Sequence, residues 1–167
     1  MRRMADVERM SGSIRVYVDM VADLFHAGHA SFLRQAKELG ASLHPGRDVE
    51  LVVGVHSDDT VLGYKREPVC SMEERVAVVR SIAGVASVVP DAPLLLTPEY
   101  LDAHAVDLVV HGDDISDETR RRWYEPAVVR GIFHTVPYTP GICTTEIIER
   151  IRARDREKPE DDSGGMP

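Results

Sequence analysis

The chain has 167 residues, of which 43% are hydrophobic and 29% charged, a balance typical of one folded domain with a substantial core. Its 28 acidic residues outnumber its 20 basic ones, and the net charge of −8 argues against non-specific binding to nucleic acid. No apolar run approaches the length that spans a bilayer, so we expect no membrane partner.

The first predicted elements are a strand over residues 14–18 and a helix over residues 30–39, which Gly40 is expected to end. Between them lies the segment His26-Ala27-Gly28-His29. The unpaired N–H groups and positive dipole at a helix start attract anions, and Gly28 has no Cβ to keep a phosphate from the backbone. The segment therefore predicts an anion site. The alternative is that both histidines are ordinary polar residues at a helix start.

Strands and helices alternate along the rest of the chain. Later strands are predicted over residues 50–55, 85–89, 107–111 and 132–136, and later helices begin after Ser57, after Ser71 in a capping box with Glu74, after Thr97, near Arg120, and at Thr144 or Thr145. Pro126 interrupts the helix predicted over residues 120–130. The alternation predicts an α/β fold: a single Rossmann-like domain over residues 14–154, with a five-stranded parallel sheet and helices on both faces. Residues 1–13 are expected to be flexible and residues 155–167 disordered.

Reactive side chains follow several of the predicted strands. In parallel α/β sheets, ligands bind at the carboxyl ends of the strands. The segments that follow strand ends are Asp19 to His29, His56-Ser57, His111 to Asp114, and Tyr138 to Thr145. We expect the site to be built from these segments, although His56 itself is predicted to be a surface or strand-end residue.

Several of these segments resemble known motifs in the same order along the chain. His26-Ala27-Gly28-His29, preceded by Asp23, resembles the HxGH signature of the nucleotidyltransferase superfamily. Gly141-Ile142-Cys143-Thr144-Thr145 is similar to the RTxGISTTxI signature of its cytidylyltransferase branch. Lys65, Glu74-Arg75 and the His111 to Asp114 segment match further family positions. The resemblance covers about residues 14–152 and is to the enzymes that activate phosphoethanolamine, phosphocholine and glycerol 3-phosphate.

The resemblance implies that a substrate phosphate oxygen attacks the α-phosphorus of CTP and that pyrophosphate leaves. A phosphomonoester is largely dianionic near neutral pH, so the nucleophile needs no general base. Catalysis would then consist of positioning and charge neutralisation by His26, His29 and Lys65. Imidazolium forms of the histidines would be favoured by the adjoining anions. Mg²⁺ is the implied cofactor, as a bridge between phosphate oxygens, with no metal site built from protein ligands.

The resemblance also implies two sets of binding residues. The nucleotide would be bound by Asp23, Phe25, Gly28, His111, Gly112, Asp113, Asp114, Gly141, Ile142, Cys143, Thr144 and Thr145, and the acceptor by Asp19, Met20, Tyr124, Tyr138 and Arg120. Several of the site residues also have a simpler alternative role. Lys65 taken alone is typical of a solvated loop, and Thr144 and Thr145 are typical of a helix cap. Asp113-Asp114 is typical of a turn, and Cys143 of a small packing residue. The run from Arg120 to Arg122 is typical of a solvated face, and its alternative is closure over a phosphate.

The chain departs from the family pattern at positions that bear on the acceptor. Met20 and Ala22 replace a glycine and a phenylalanine, Leu94 a tryptophan, Tyr138 an arginine, and Cys143 a serine. An aromatic cage for a quaternary ammonium is therefore not expected, which disfavours phosphocholine. Asp19 suits an amine, as in phosphoethanolamine or an aminoalkylphosphonate. An anionic phosphonate would instead need a basic partner, for which Arg120 to Arg122 or Arg130 are the candidates. Together the departures suggest a specialised acceptor such as a phosphonate.

Two further functions stay open: an adenylyltransferase of the same superfamily, and a non-catalytic regulatory protein that binds CTP. The family and apolar residues between positions 85 and 95 favour a homodimer. Cys70 and Cys143 lack partners at ligand spacing, which indicates a reducing cytoplasm rather than a disulfide framework.

Overall fold

The structure, a computed structural model, describes residues 12–156. Its strands are β1 (Ser13–Met20), β2 (Asp48–Val55), β3 (Val85–Pro90), β4 (Leu108–Gly112) and β5 (Phe133–Val136). They form one parallel sheet in the order β3-β2-β1-β4-β5. The order reverses direction between β1 and β4, which is the switch point where such sheets open a crevice. The predicted Rossmann-like fold with a five-stranded parallel sheet is confirmed.

Seven helices lie in this described part, six of them between strands and the seventh after β5. They are α1 (Ala27–Leu43), α2 (Asp58–Leu62), α3 (Met72–Arg80), α4 (Pro98–Ala103), α5 (Asp117–Trp123), α6 (Glu125–Val129) and α7 (Thr144–Arg156). No helix within residues 12–156 is long and apolar enough to cross a membrane.

Two apolar cores hold helices on opposite faces of the sheet. On one face Leu33 of α1 and Val79 of α3 pack with the β1 residues that include Val16. On the other face Leu101 of α4 and Ala127 of α6 pack with Tyr17 and its neighbours. Alternate residues of β1 thus enter different cores, as the two-residue period of a strand requires. This burial fixes the carboxyl ends of β1 and β4 side by side.

Helix starts agree with the capping signals in the sequence. Ser71 Oγ accepts a hydrogen bond from Glu74 N at 3.4 Å, and Glu74 Oε2 accepts one from Ser71 N at 2.8 Å. Ser57 caps α2, and Thr97 caps α4 with Pro98 in its first turn. The side-chain oxygens satisfy N–H groups that have no partner inside their helices, which is why these starts are readable from sequence.

Gly40 does not end the first helix, contrary to the prediction, because α1 continues to Leu43. A Cβ at Gly40 would lie 2.6 Å from Cγ2 of Val16. The glycine therefore allows α1 to pack closely on β1 and is not a left-handed helix stop.

The helix predicted over residues 120–130 is divided into α5 and α6, since Pro126 lies in the first turn of α6, where a missing N–H costs no hydrogen bond. Thr144 is the first residue of α7 and not a cap preceding it. Of the segments predicted to be flexible or disordered, residues 1–11 and 157–167 lie outside the described residues, whereas Ser13 is in β1 and Arg156 is in α7.

Candidate active site

A cavity of about 610 Å³ opens at the carboxyl ends of β1 and β4. Most of the predicted site residues line it: Asp19, Met20, Asp23, His26, Gly28, His29, Lys65, His111, Gly112, Asp114, Tyr138, Ile142, Cys143, Thr144 and Thr145. The structure therefore brings together segments that are far apart in sequence. Their chemical roles stay predictions.

Two histidines cap the start of α1 through their ring nitrogens. His26 Nδ1 accepts a hydrogen bond from Gly28 N at 3.1 Å, and His29 Nδ1 accepts one from His26 N at 3.3 Å. The rings stack with their centroids 3.9 Å apart. Because Nδ1 accepts in both rings, each neutral imidazole carries its proton on Nε2. Both Nε2–H groups are then free to donate to a ligand in the cavity.

Burial keeps these histidines neutral in the free protein. It lowers the pKa of His29 to about 4, with further lowering by the charges of His26 and Lys65. The pKa of His26 is also lowered, mainly by burial, and Glu146 opposes this. The predicted imidazolium forms therefore require the negative charge of a bound phosphate, which raises the pKa of a nearby base.

Gly28 lies where a side chain would not fit. A Cβ there would lie 2.9 Å from His26 Cε1 and 3.4 Å from the carbonyl oxygen of Ile142. The glycine thus lets the start of α1 approach the segment that leads into α7. The N-termini of two helices consequently line one cavity, and their dipoles favour the same negative charge.

Asp23 ties three parts of the cavity wall together. Its carboxylate accepts hydrogen bonds from Val69 N and Cys70 N at 3.0 to 3.1 Å, and its carbonyl oxygen accepts one from Thr144 Oγ1 at 3.0 Å. Asp23 is only 4% exposed. Both carboxylate oxygens already have partners, so its observed role is to hold backbone segments in place.

Arg75 is a second internal tie, and its side chain is fully buried. Its guanidinium donates to the carbonyl oxygens of Val21, His56 and Cys70, and to Oδ1 of Asp58. The first two carbonyls belong to the segments that leave β1 and β2. Arg75 therefore fixes loops on three sides of the cavity, a role that the match of Glu74-Arg75 to the family did not reveal.

Asp19 lies at the floor of the cavity, with its side chain 2% exposed. Oδ1 accepts a hydrogen bond from the hydroxyl of Tyr124 at 2.6 Å, whereas Oδ2 is buried without a partner in the described structure. Burial and the nearby carboxylate of Asp19 raise the pKa of Tyr124 well above its usual value, so its hydroxyl stays a donor. A buried carboxylate oxygen without a donor is costly.

His56 directly follows β2, in agreement with the strand-end prediction, but it is buried beside Asp19 and not at the surface. It is 4% exposed, its Nδ1 lies 3.0 Å from the carbonyl oxygen of Ala92, and its Nε2 lies 3.9 Å from Asp19 Oδ1. Its ring also contacts the edge of Tyr64, which in turn contacts Trp123. The position of His56 directly after β2 was the signal that pointed to this end of the cavity.

Five predicted site residues do not line the cavity. Phe25 stacks on His29 with centroids 5.2 Å apart, Asp113 Oδ1 accepts from Tyr138 N, Tyr124 supports Asp19, Gly141 precedes α7, and Arg120 pairs with Asp117 at 2.9 Å. Arg121 and Arg122 are exposed, as expected of a solvated face.

The cavity also includes residues that the sequence analysis missed: Val21, Phe32, Val61, Arg66, Pro68, Pro137 and Thr139. Arg66 is the charged member of this group. Its Nη1 donates to Oγ1 of Thr145 across the cavity at 3.1 Å. A basic residue next to the family lysine was the signal that could have found it.

The low pKa of His29 predicts a specific loss of stability in acid. Unfolded His29 takes up a proton near pH 6.5, but the folded residue does so only near pH 4. The unfolded state therefore binds more protons within this window, and stability is complete above pH 6.5 and falls as the pH approaches 4. We expect a loss of about 3 kcal/mol from this residue, measurable by urea unfolding across the window. The His29→Gln variant has no imidazole at this position to titrate, so its free energy of unfolding should fall by about 3 kcal/mol less than that of the parent chain over the same pH range. Equal losses in both proteins would contradict a buried neutral histidine.

Comparison with known proteins shows the family to which the chain belongs. The chain matches the model of the cytidylyltransferase-like family over residues 19–150. It is 43% identical over 139 residues to an ethanolamine-phosphate cytidylyltransferase from Dictyostelium discoideum, covering 83% of this chain and 36% of that protein. It is 40% identical over 144 residues to choline-phosphate cytidylyltransferase A from Homo sapiens, again covering 83% and 36%.

A solved structure supports the fold alone. The lipopolysaccharide core biosynthesis protein from Thermoplasma volcanium GSS1 matches with a TM-score of 0.59 and 24% identity, over 78% of this chain and all of that one. The chain spans 36% of the length of the two curated relatives named above. Because the family model covers most of the chain, including both helix starts at the cavity, the chain belongs to the cytidylyltransferase-like family.

Proposed function

We propose that this chain is a cytidylyltransferase that transfers CMP from CTP to a small acceptor bearing a phosphate or phosphonate, with release of pyrophosphate. The family membership supports the reaction class. The cavity supports the substrate class, because the starts of α1 and α7 both face it and carry donors suited to phosphate.

In the proposed reaction, an acceptor oxygen forms a bond to the α-phosphorus of CTP while the bond to the β-phosphate oxygen breaks. The electron pair of the broken bond stays on pyrophosphate. The Nε2–H groups of His26 and His29 would donate to the α-phosphate and to the leaving oxygen, where negative charge grows. Lys65 would neutralise charge between the two anionic reactants, which otherwise repel each other.

Mg²⁺ is proposed as a companion of CTP and not as a resident metal. Within residues 12–156, no group of three His, Cys, Asp or Glu side chains is arranged to hold a metal ion. A Mg²⁺ ion that keeps its waters and binds mainly to substrate phosphates does not need such a group. When bound, the ion would offset triphosphate charge.

The acceptor is proposed to carry a primary amine, and the single observation behind this is the buried Oδ2 of Asp19. An ammonium group would satisfy that oxygen with both a hydrogen bond and a charge. A quaternary ammonium has no N–H to donate, so phosphocholine is the poorer candidate. Phosphoethanolamine and an aminoalkylphosphonate both meet the requirement, and the phosphonate remains the more specialised possibility.

The test combines an acceptor panel with a variant of Asp19. Pyrophosphate release is measured with CTP or ATP and with phosphoethanolamine, 2-aminoethylphosphonate, phosphocholine or glycerol 3-phosphate. We expect CTP and the two amines to support the fastest turnover. In Asp19→Asn, which can still accept from Tyr124, the KM for the amine acceptors should rise about 100-fold, because one charged hydrogen bond is lost.

Asp102→Asn is the matched control, because Asp102 pairs with Arg130 on the surface. Asp102→Asn should leave the KM values for both amine acceptors unchanged. Faster turnover with ATP would favour an adenylyltransferase. Silence across the panel despite tight CTP binding would favour a regulatory protein. An equal KM in Asp19→Asn and the parent would refute the amine assignment.

A homodimer and a cytoplasmic location complete the proposal. Both rest on the sequence, through the family pattern and the small number of cysteines. Cys70 and Cys143 form no disulfide, which accords with a reducing compartment.

A further inference from the structure

The cavity holds few fixed positive charges for the substrates that it is proposed to bind. His29 is neutral in the free protein because its pKa is about 4, and the pKa of His26 is also lowered. The cationic side chains that line the cavity are therefore Lys65 and Arg66. Asp19, Asp23 and Asp114 line it as well and oppose an anion. A triphosphate and an acceptor with one phosphate or phosphonate together require more positive charge than Lys65 alone supplies.

Arg66 lies on a segment of the cavity wall that is held at both ends. Tyr64 N and Lys65 N donate to the carbonyl oxygen of Val61, and Val69 N and Cys70 N donate to Asp23. Arg66 lies between these two anchors. The backbone is thus positioned, while the side chain is exposed.

The guanidinium of Arg66 already spans the cavity to the start of α7. Its single hydrogen bond in the described structure is to the neutral hydroxyl of Thr145, at 3.1 Å. Arg75 and Arg130, in contrast, pair with carboxylates. A guanidinium has five donors in a fork that matches phosphate geometry, so a hydroxyl uses only a small part of its capacity.

We propose that Arg66 is a nucleotide-binding residue that binds the β- and γ-phosphates of CTP and so clamps the triphosphate between the Gly63 to Cys70 segment and α7. This inference rests on the proposed function, because it takes the triphosphate to lie at the start of α7. On binding, the guanidinium exchanges its bond to Thr145 for bidentate bonds to phosphate oxygens, which are stronger because both partners are charged. Arg66 acts on the phosphates and not on the base.

Equilibrium dialysis with CTP, CDP and CMP tests this assignment in the full chain. Arg66→Ala should weaken CTP binding about ten- to hundredfold, because charged hydrogen bonds are lost, and CMP binding by less than about twofold. Arg66→Lys keeps the positive charge but lacks the forked donors of a guanidinium. Its affinity for CTP should lie between those of the parent chain and Arg66→Ala. Arg80→Ala, which removes an exposed arginine of α3 outside the cavity, is the control and should bind all three nucleotides normally.

The outcomes separate the two proposals. If the parent chain binds none of the nucleotides, the proposed function fails. If the parent binds CTP and Arg66→Ala binds it equally well, only the Arg66 assignment fails. Equal weakening of CTP and CMP binding in Arg66→Ala would also overturn the assignment, since that result would indicate collapse of the cavity wall. Thermal unfolding of Arg66→Ala checks this directly, and its melting temperature should equal that of the parent chain.

Discussion

His29→Ala is expected to reduce kcat about a thousandfold while the fold remains intact. In the proposed reaction, the Nε2–H of His29 donates to an oxygen that gains negative charge, and loss of such a donor typically costs two to three orders of magnitude, so about 10³ is expected. The substitution also removes the acceptor for His26 N, which costs about 1 kcal/mol of helix capping. Steady-state pyrophosphate release and thermal unfolding measure the two effects separately.

His44→Ala is the matched control for this experiment. His44 follows the end of α1, outside the cavity, and its replacement should leave kcat unchanged. A His29→Ala variant with nearly normal kcat would refute the role of His29 in the reaction. An unfolded variant would instead be replaced by His29→Gln, whose amide oxygen still accepts from His26 N.

Arg75→Met is expected to cause the largest loss of stability. Methionine fills similar space, but the carbonyl oxygens of Val21, His56 and Cys70 and one oxygen of Asp58 lose their donor. Removal of one partner from such a buried network costs about 3–5 kcal/mol. That is a large fraction of the about 5–15 kcal/mol that stabilises an ordinary domain. Urea unfolding of the parent and the variant gives the difference.

Arg34→Met serves as the comparison, because Arg34 pairs with Glu38 on the surface of α1 and both side chains are more than half exposed. It should change stability by less than about 1 kcal/mol. Equal losses in the two variants would show that the network around Arg75 contributes no more than a surface ion pair.

The fold was predictable because its signals are local. Caps at Ser57, Ser71 and Thr97 satisfy N–H groups a few residues away, so a short window contains the whole interaction. Continuous apolar runs marked the central strands for the same reason. Gly40 misled the prediction because a glycine that ends a helix and one that packs against a strand are identical in sequence. Only the distance to Val16 separates them.

The candidate site was predictable where the topology dictates it. The carboxyl ends of parallel strands meet at one edge of the sheet, so Asp19, His29 and His111, at or after the ends of β1 and β4, were expected near one another. Arg66 was missed, and the burial of His56 was not foreseen, because both depend on side-chain direction across long separations in sequence. The same reason explains Tyr124, which was predicted to bind the acceptor but reaches the cavity through Asp19.

The structure changes what the Met20 departure from the family pattern says about the acceptor. Met20 lines the cavity but is only 8% exposed and packs in the core that also contains Ala22. Its thioether occupies core volume near a position where the family pattern has the larger phenylalanine. Met20 is therefore weaker support for an unusual acceptor than the sequence suggested, and Asp19 becomes the better guide to acceptor chemistry.

The hydrogen bonds of Asp23 have a consequence for the entropy of ligand binding. Fixing the backbone of a loop residue costs about 1–2 kcal/mol of conformational entropy, whether the loop is ordered during folding or by a ligand. Asp23 orders Val69, Cys70 and Thr144 within the folded chain itself. The chain therefore meets this cost once, when it folds, and not again in each round of nucleotide binding. Most of the interaction energy with a nucleotide then remains available for affinity and for the reaction.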